Sequence, residues 1–493
     1  MSLTFSFDNS YARLPERFFS RLPPTPVPSP KLIKINEALA ASLGLNSKSL
    51  ETPKGIDILA GNSVPLGAEP LAMAYAGHQF GNWVPQLGDG RAILLGEVID
   101  NSGDRWDVQL KGAGPTPFSR MGDGRAVLGP ILREYLVSEA MANLRIPTTR
   151  TLAAISTGEN IQRETVLPGA ILTRIARSHI RIGTFQFFYS RKDFEALRLL
   201  ADHVICRHYS GINLSVTPYK ALFDSVVCAQ ANLLAKWQLV GFIHGVMNTD
   251  NSAISGETID YGPCAFMDAY HPDTVFSSID HMGRYSYKNQ PAIAKWNLAC
   301  FAETLIPLFD GNINKVVAEF EKSLEKFEKQ FEQAYLSGLR SKLGLVEEMI
   351  GDLELGQDLL RIMAANNADY TQTFRNLCVL DIDDLSKDSL VGDLFVDPRD
   401  FDNWARNWRK RLRQEKREND CRKEAMSSVN PAYIPRNHRI AEAIKAAVHE
   451  NDLEPFYLLN KVLENPFTTN PGFSKFAEAP QLDEVVTQTF CGT

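Results

Sequence analysis

Residues 241–268, GFIHGVMNTDNSAISGETIDYGPCAFMD, gather the side chains best suited to chemistry. An apolar helical stretch leads to a loop holding His244, Asn248, Asp250 and Asn251. Two short strand-like pieces, SAI and TIDY, follow, joined across residues 255–257, and Asp260 ends the second with Gly262 close behind. A loop bearing Asp and Asn, a hairpin and a second Asp before glycine is the order in which kinase-like enzymes hold their metal ions. Mg2+ or Mn2+ takes carboxylate and amide oxygens and completes its shell with phosphate oxygens, which makes Asn251 and Asp260 the candidate ligands. Asp250 is placed to accept a proton from an acceptor hydroxyl, or to orient that hydroxyl. Asp and Asn are also ordinary turn residues, so the reading rests on the order of several features. One feature departs from kinases. Their base aspartate precedes the metal asparagine by several residues, whereas Asp250 and Asn251 are adjacent.

Three other segments offer grips for a polyphosphate. In QLGDGRAILLGE, residues 86–97, Gly88 and Gly90 flank Asp89 and precede Arg91. Such glycines let backbone amides approach phosphate oxygens, although the same tripeptide makes a plain turn. In residues 106–136, Lys111 ends a predicted strand, Glu134 lies in the helix that follows, and the loop between them carries Asp123, Gly124 and Arg125. A strand lysine fixed by a helix glutamate is how kinases grip nucleotide phosphates; a surface ion pair is the alternative. In ILTRIARSHIRIGTFQFF, Arg174, Arg177 and Arg181 stand among apolar residues and need anions, either phosphates or structural carboxylates.

The elements that must position these groups run from strands to helices. AILLGEVI and WDVQL read as a hairpin closed by residues 101–105. Pro130 opens a helix over ILREYLVSEAMANL, which Pro147 ends. Strand-like material around TLAAI and ILTRIA precedes helical stretches in 191–240, and further amphipathic stretches in 297–342 and 401–462 are divided by acidic loops. Residues 21–30, RLPPTPVPSP, form an extended arm. The basic segment 406–422 mixes charges in a way that suits a solvated helix face. No solenoid repeat is present, although GDGR occurs twice.

At 493 residues the chain exceeds one compact core. A 44% hydrophobic and 23% charged composition is that of a soluble globular protein, and a net charge of -7 argues against coating nucleic acid. No apolar run approaches bilayer length, and the first residues lack an apolar signal core. The expectation is a cytoplasmic protein with neither membrane nor nucleic-acid partner. The 7 scattered cysteines form no CxxC pair, and most of them read as buried apolar residues.

YAGHQFGNWVPQLGDGRAILLGE, QLKGAG, FSRMGDGRAVL, HGVMNTDN, TIDYGPCAFMD, HMGRYSY and NPAYIPRNHR together make the chain resemble the selenoprotein O family, the bacterial YdiU-type proteins, over nearly its whole length. The resemblance implies an α+β, bilobal protein-kinase-like fold. An arm and helical extension would occupy 1–75, a mixed β/α N-lobe with the phosphate grip 76–190, a mainly helical C-lobe with the catalytic and metal loops 191–395, and a C-terminal helical extension with a Cys-containing tail 396–493. It further implies transfer of AMP from ATP, or UMP from UTP, to Ser, Thr or Tyr hydroxyls of proteins, self-modification, and ATP flipped so that its α-phosphate faces the acceptor. Ordinary γ-phosphoryl transfer and a silent nucleotide-binding scaffold are the competing outcomes. By the same resemblance, Gly88, Gly90, Arg91, Lys111, Asp123, Gly124, Arg174, Arg181 and Asp260 surround ATP. Glu134 anchors Lys111, Asn251 and Asp260 hold Mg2+ or Mn2+, and Asp250 accepts the proton. Two departures stand out. Gly129 and Pro130 replace polar residues after the second GDGRA. Cys491 occupies the selenocysteine position of eukaryotic members, which suggests a redox role, but the usual partner position has no cysteine, and Cys264 is the nearest alternative.

Overall fold

The computed structural model describes residues 5–212 and 217–490. Its centre is an antiparallel sheet whose strands lie in the order Phe19–Arg21, Leu71–Met73, Ala92–Ile99, Arg105–Lys111, Val166–Ala176, Arg150–Gln162 and Lys31–Ile35, with Ala126–Val127 added beside Val166–Ala176. The strand AILLGEVI is apolar without alternation because both faces of the sheet are covered. One face packs on Leu39, Leu50 and Leu59 of the N-terminal helices. The other joins a larger core with the helices of the second half. The fold is α+β, a mixed structure with an antiparallel sheet and many helices.

The predicted hairpin is present. Its turn is 100–104 rather than 101–105, closed by Asp100 N–H donating to Asp104 O at 2.8 Å, so Arg105 already pairs with Ile99. The helix foreseen from Pro130 spans Leu128–Asn143. It stops before Pro147, where Arg145 takes a left-handed φ of 63°. The small Gly129 has a packing reason, since a Cβ there would meet Ile444 at 3.0 Å, and helix Asn437–Lys445 packs against this face.

The helical stretches resolve into Phe194–His208, Pro218–Val240, Gln290–Leu305, Ile313–Leu343 and a C-terminal group beginning with Pro398–Leu412. Helix Ile182–Ser190 was not foreseen in the apolar segment after Arg181. The Pro-rich arm is extended but not a tether: Thr25 N–H donates to Ala113 O at 2.8 Å, and Arg125 donates to the carbonyls of Thr25 and Pro26.

One expectation fails and another holds only in part. SAI and TIDY do not pair with each other; Ala253 bridges Arg181, and Thr258 bridges Thr148. The ladder at this place instead joins Phe242–Ile243 to Ala265–Phe266. The basic segment is a solvated face only in part: Arg406, Lys410, Arg413 and Lys416 are exposed, but three other arginines are not. Arg409 pairs with Asp388 at 2.6 Å, Arg411 pairs with Asp352 at 2.6 Å, and Arg422 donates to Leu380 O, all three buried.

Candidate active site

A cleft of about 540 Å³ opens between the sheet with its flanking loops and the loop residues 246–263. Gly88, Gly90, Arg91 and Lys111 line it from the Ala92–Ile99 and Arg105–Lys111 hairpin, and Asp123 and Gly124 from the loop beyond. Arg174 and Arg181 reach in from the end of Val166–Ala176 and the start of Ile182–Ser190. Asp250, Asn251 and Asp260 close the opposite wall. Residues far apart in the sequence therefore meet at one surface.

Their side chains form a continuous ionic relay. Lys111 Nζ pairs with Glu134, which lies behind the cleft wall at 1% exposure. Arg174 binds the same carboxylate at 2.6 Å and Asp260 at 2.9 Å. Arg181 takes the other Asp260 oxygen at 2.5 Å, stands 3.9 Å from Asp89 and lies over the Tyr75 ring. Burial opposes ionisation of Asp260, but Arg181, Arg174 and Lys111 overcome it and hold the carboxyl far below the usual carboxylate range. Burial pushes the Lys111 ammonium below its ordinary value against the pull of Glu134. The relay concentrates fixed charge along one wall of the cleft.

Asp250 has the opposite environment. It is 6% exposed, Gln79 Nε2 donates to its Oδ2 at 3.2 Å, and its Oδ1 has no hydrogen-bond partner. Burial raises its pKa to about 6, the Gln79 bond and Arg181 only partly offsetting it. Arg181 also donates to the Asp250 main-chain oxygen at 2.8 Å, tying the two aspartates through one guanidinium. One site thus holds a permanently ionised carboxylate beside another poised near neutrality, the split expected of a charge holder and a proton acceptor.

The loops follow from glycine. Gly88 has φ 110° and a Cβ there would run into the Phe118 ring; Gly124 has φ 65° and abuts the Gly114 carbonyl. Asp123 is held by both terminal nitrogens of Arg163, at 2.7 and 3.0 Å, and accepts from Arg125 N–H at 2.9 Å. Its carboxylate thus shapes the loop.

The whole-chain comparisons agree with one another. A family model described as protein adenylyltransferase SelO matches residues 1–464. The chain belongs to the SelO family. It is 59% identical over 493 residues, covering all of both chains, to a Bradyrhizobium sp. strain BTAi1 protein named protein nucleotidyltransferase YdiU. Proteins of the same name from Rhodopseudomonas palustris and Methylorubrum extorquens are 58% and 57% identical, again with both chains fully covered.

The donor set of this SelO-family cleft fits a hard divalent cation. Asn251 Nδ2 donates to Val246 O at 2.9 Å, which leaves its Oδ1 available to a cation, and strong opposing charge holds Asp260 ionised. Among the described residues no group of three or more His, Cys, Asp or Glu forms a metal cage.

Some residues singled out in the sequence lie elsewhere. Arg177 pairs with Asp104 at 3.0 Å and covers Trp106, so it is structural. His244 is buried against Trp237 and bonds Ile259 O. Cys491 lies outside the described residues. Of the other six cysteines, Cys264, Cys300 and Cys378 are buried but Cys206, Cys228 and Cys421 are exposed, fewer buried than expected. Burial pushes the Cys264 thiol up to about 11, which makes it unreactive. Sequence reasoning gave no role to Gln79, Asp89 or Arg163. The only signal for Gln79 was its place in YAGHQF. No helix among the described residues is long and apolar enough to cross a membrane.

Proposed function

We propose that this SelO-family protein nucleotidyltransferase moves AMP from ATP onto a Ser, Thr or Tyr hydroxyl of a protein and releases pyrophosphate. The carrying observation is that Asp250, with its pKa raised to about 6, and Asp260, clasped by Arg174 and Arg181, face one cleft. Asp250 takes the proton of the acceptor hydroxyl; the hydroxyl oxygen bonds to the α-phosphorus; the bond from that phosphorus to the bridging oxygen breaks, and its electrons leave with pyrophosphate. Arg91, Lys111, Arg174 and Arg181, with the amides around Gly88, Gly90 and Gly124, hold the phosphates and stabilise the charge that develops. Asn251 and Asp260 hold Mg2+ or Mn2+, which neutralises phosphate charge when bound.

On this reading the fold is bilobal and kinase-like. Residues 76–190 supply the phosphate grip, 191–395 the catalytic and metal loops, 1–75 an N-terminal extension and 396–493 a C-terminal one. The Lys111–Glu134 pair, linking strand to helix as in kinases, supports it. The test is labelling. ATP radiolabelled at the α-phosphate should label protein, including the enzyme itself, and ATP labelled at the γ-phosphate should not; Asp260→Ala should abolish transfer. Label arriving only from the γ-position would establish a kinase instead. Replacing ATP by UTP in the same assay measures UMP transfer.

A further inference from the structure

Residues 244–264, which carry both Asn251 and Asp260, spring from a ladder of only two residue pairs, Phe242 with Phe266 and Ile243 with Ala265. A ladder so short does not hold its own register. Two buried amides clamp it from behind. Gln290, 0% exposed on helix Gln290–Leu305, donates through Nε2 to Phe242 O at 2.9 Å and accepts the His244 N–H at 3.0 Å. Asn437, 1% exposed at the start of helix Asn437–Lys445, donates through Nδ2 to Phe266 O at 3.0 Å. Its neighbour Arg436 fixes the chain just beyond the ladder, binding Asp268 at 2.5 Å and Asp369 at 2.8 Å. Each strand of the ladder thus has its own clamp, at the two ends of the segment that carries Asn251 and Asp260.

We infer that Gln290 and Asn437 are positioning residues that set the separation of Asn251 and Asp260 and hence which divalent cation the pair accepts. The inference rests on the reading of Asn251 and Asp260 as the metal ligands. Mg2+ requires near-ideal octahedral geometry at short ligand distances, so widening the pair disfavours it more than the larger Mn2+. Groups one step removed from a metal commonly change its affinity without touching it. The C-terminal extension, remote in sequence, is on this account part of the metal site.

The experiment uses the full chain with ATP and follows Mn2+ binding by electron paramagnetic resonance, with Mg2+ as competitor. Asn437→Ala and Gln290→Met each remove a clamp without adding charge. Each should shift the Mn2+ to Mg2+ affinity ratio toward Mn2+ by about 10-fold or more, with ATP affinity in the absence of metal unchanged. Asn437→Ser, a milder change, covers the case in which Asn437→Ala does not fold. Asp260→Ala must lose Mn2+ binding. If it binds Mn2+ as the wild type does, the ligand reading fails. If Asp260→Ala loses the metal while the clamp variants keep the wild-type ratio, even with lower melting temperatures, the positioning role is overturned.

Discussion

Gly77 packs so closely on Asp250 that a Cβ at position 77 would stand 3.0 Å from the Asp250 Cβ and closer still to its Oδ1. The same short strand presents Gln79 to the other carboxylate oxygen. The position of the proposed proton acceptor therefore depends on a side chain that is missing. Gly77→Ala should displace Asp250 and lower kcat by about 100-fold, the cost of a misplacement near 1 Å. ATP affinity, measured calorimetrically, should stay at the wild-type value. An equal loss in both would mean that the residue shapes the cleft rather than the base.

On the proposed mechanism, the raised pKa of Asp250 sets the acid side of the pH profile. As the proton acceptor it must be ionised, so kcat/KM should fall as pH drops through about 6. The Gln79 bond lowers that value, so Gln79→Leu should move the acid limb to higher pH. An acid limb at the ordinary carboxylate range near pH 4, in steady-state assays across pH, would remove Asp250 from this role.

The same burial has a thermodynamic sign. The folded chain binds the Asp250 proton more tightly than the unfolded chain does, so this group contributes most stability below the unfolded value of 3.8, loses it as pH rises to about 6, and does not regain it at neutral pH. Asp250→Asn should therefore stabilise the fold at pH 7, by about 3 kcal/mol at most, while abolishing transfer. Denaturant unfolding at pH 5 and pH 7 checks both sign and window: the gain should shrink at the lower pH.

What the sequence made legible was local. Gly88, Gly90, Asp250 and Asn251 sit in short motifs, and Lys111 and Glu134 fall on adjacent elements whose type the apolar pattern dictates. What escaped it were pairings across the chain. Gln79 meets Asp250 over 171 residues, and Arg163 meets Asp123 over 40. The buried side of the basic segment escaped notice because the partners of Arg409 and Arg411, Asp388 and Asp352, lie on other elements. The false hairpin had a different cause. Three- or four-residue pieces carry too little alternation to separate a paired strand from an isolated bridge.

Glu134 compensates two cations at once, the part-buried Lys111 and the buried Arg174. Burial opposes its ionisation, and the two cations outweigh that and keep its pKa low. Glu134→Gln would leave Lys111 and Arg174 confronting each other in a desolvated wall, and breaking a buried pair from one side costs roughly 3–5 kcal/mol. Glu134→Gln should therefore lower the melting temperature and weaken ATP binding together. Lys111→Met should weaken ATP binding with a smaller stability loss, because Arg174 still neutralises Glu134. The double variant should then be more stable than the sum of the single losses predicts, since it removes the stranded ammonium along with its partner. Strictly additive losses in denaturant unfolding would show that Lys111 and Glu134 are not coupled, and the kinase-like grip would lose its physical basis.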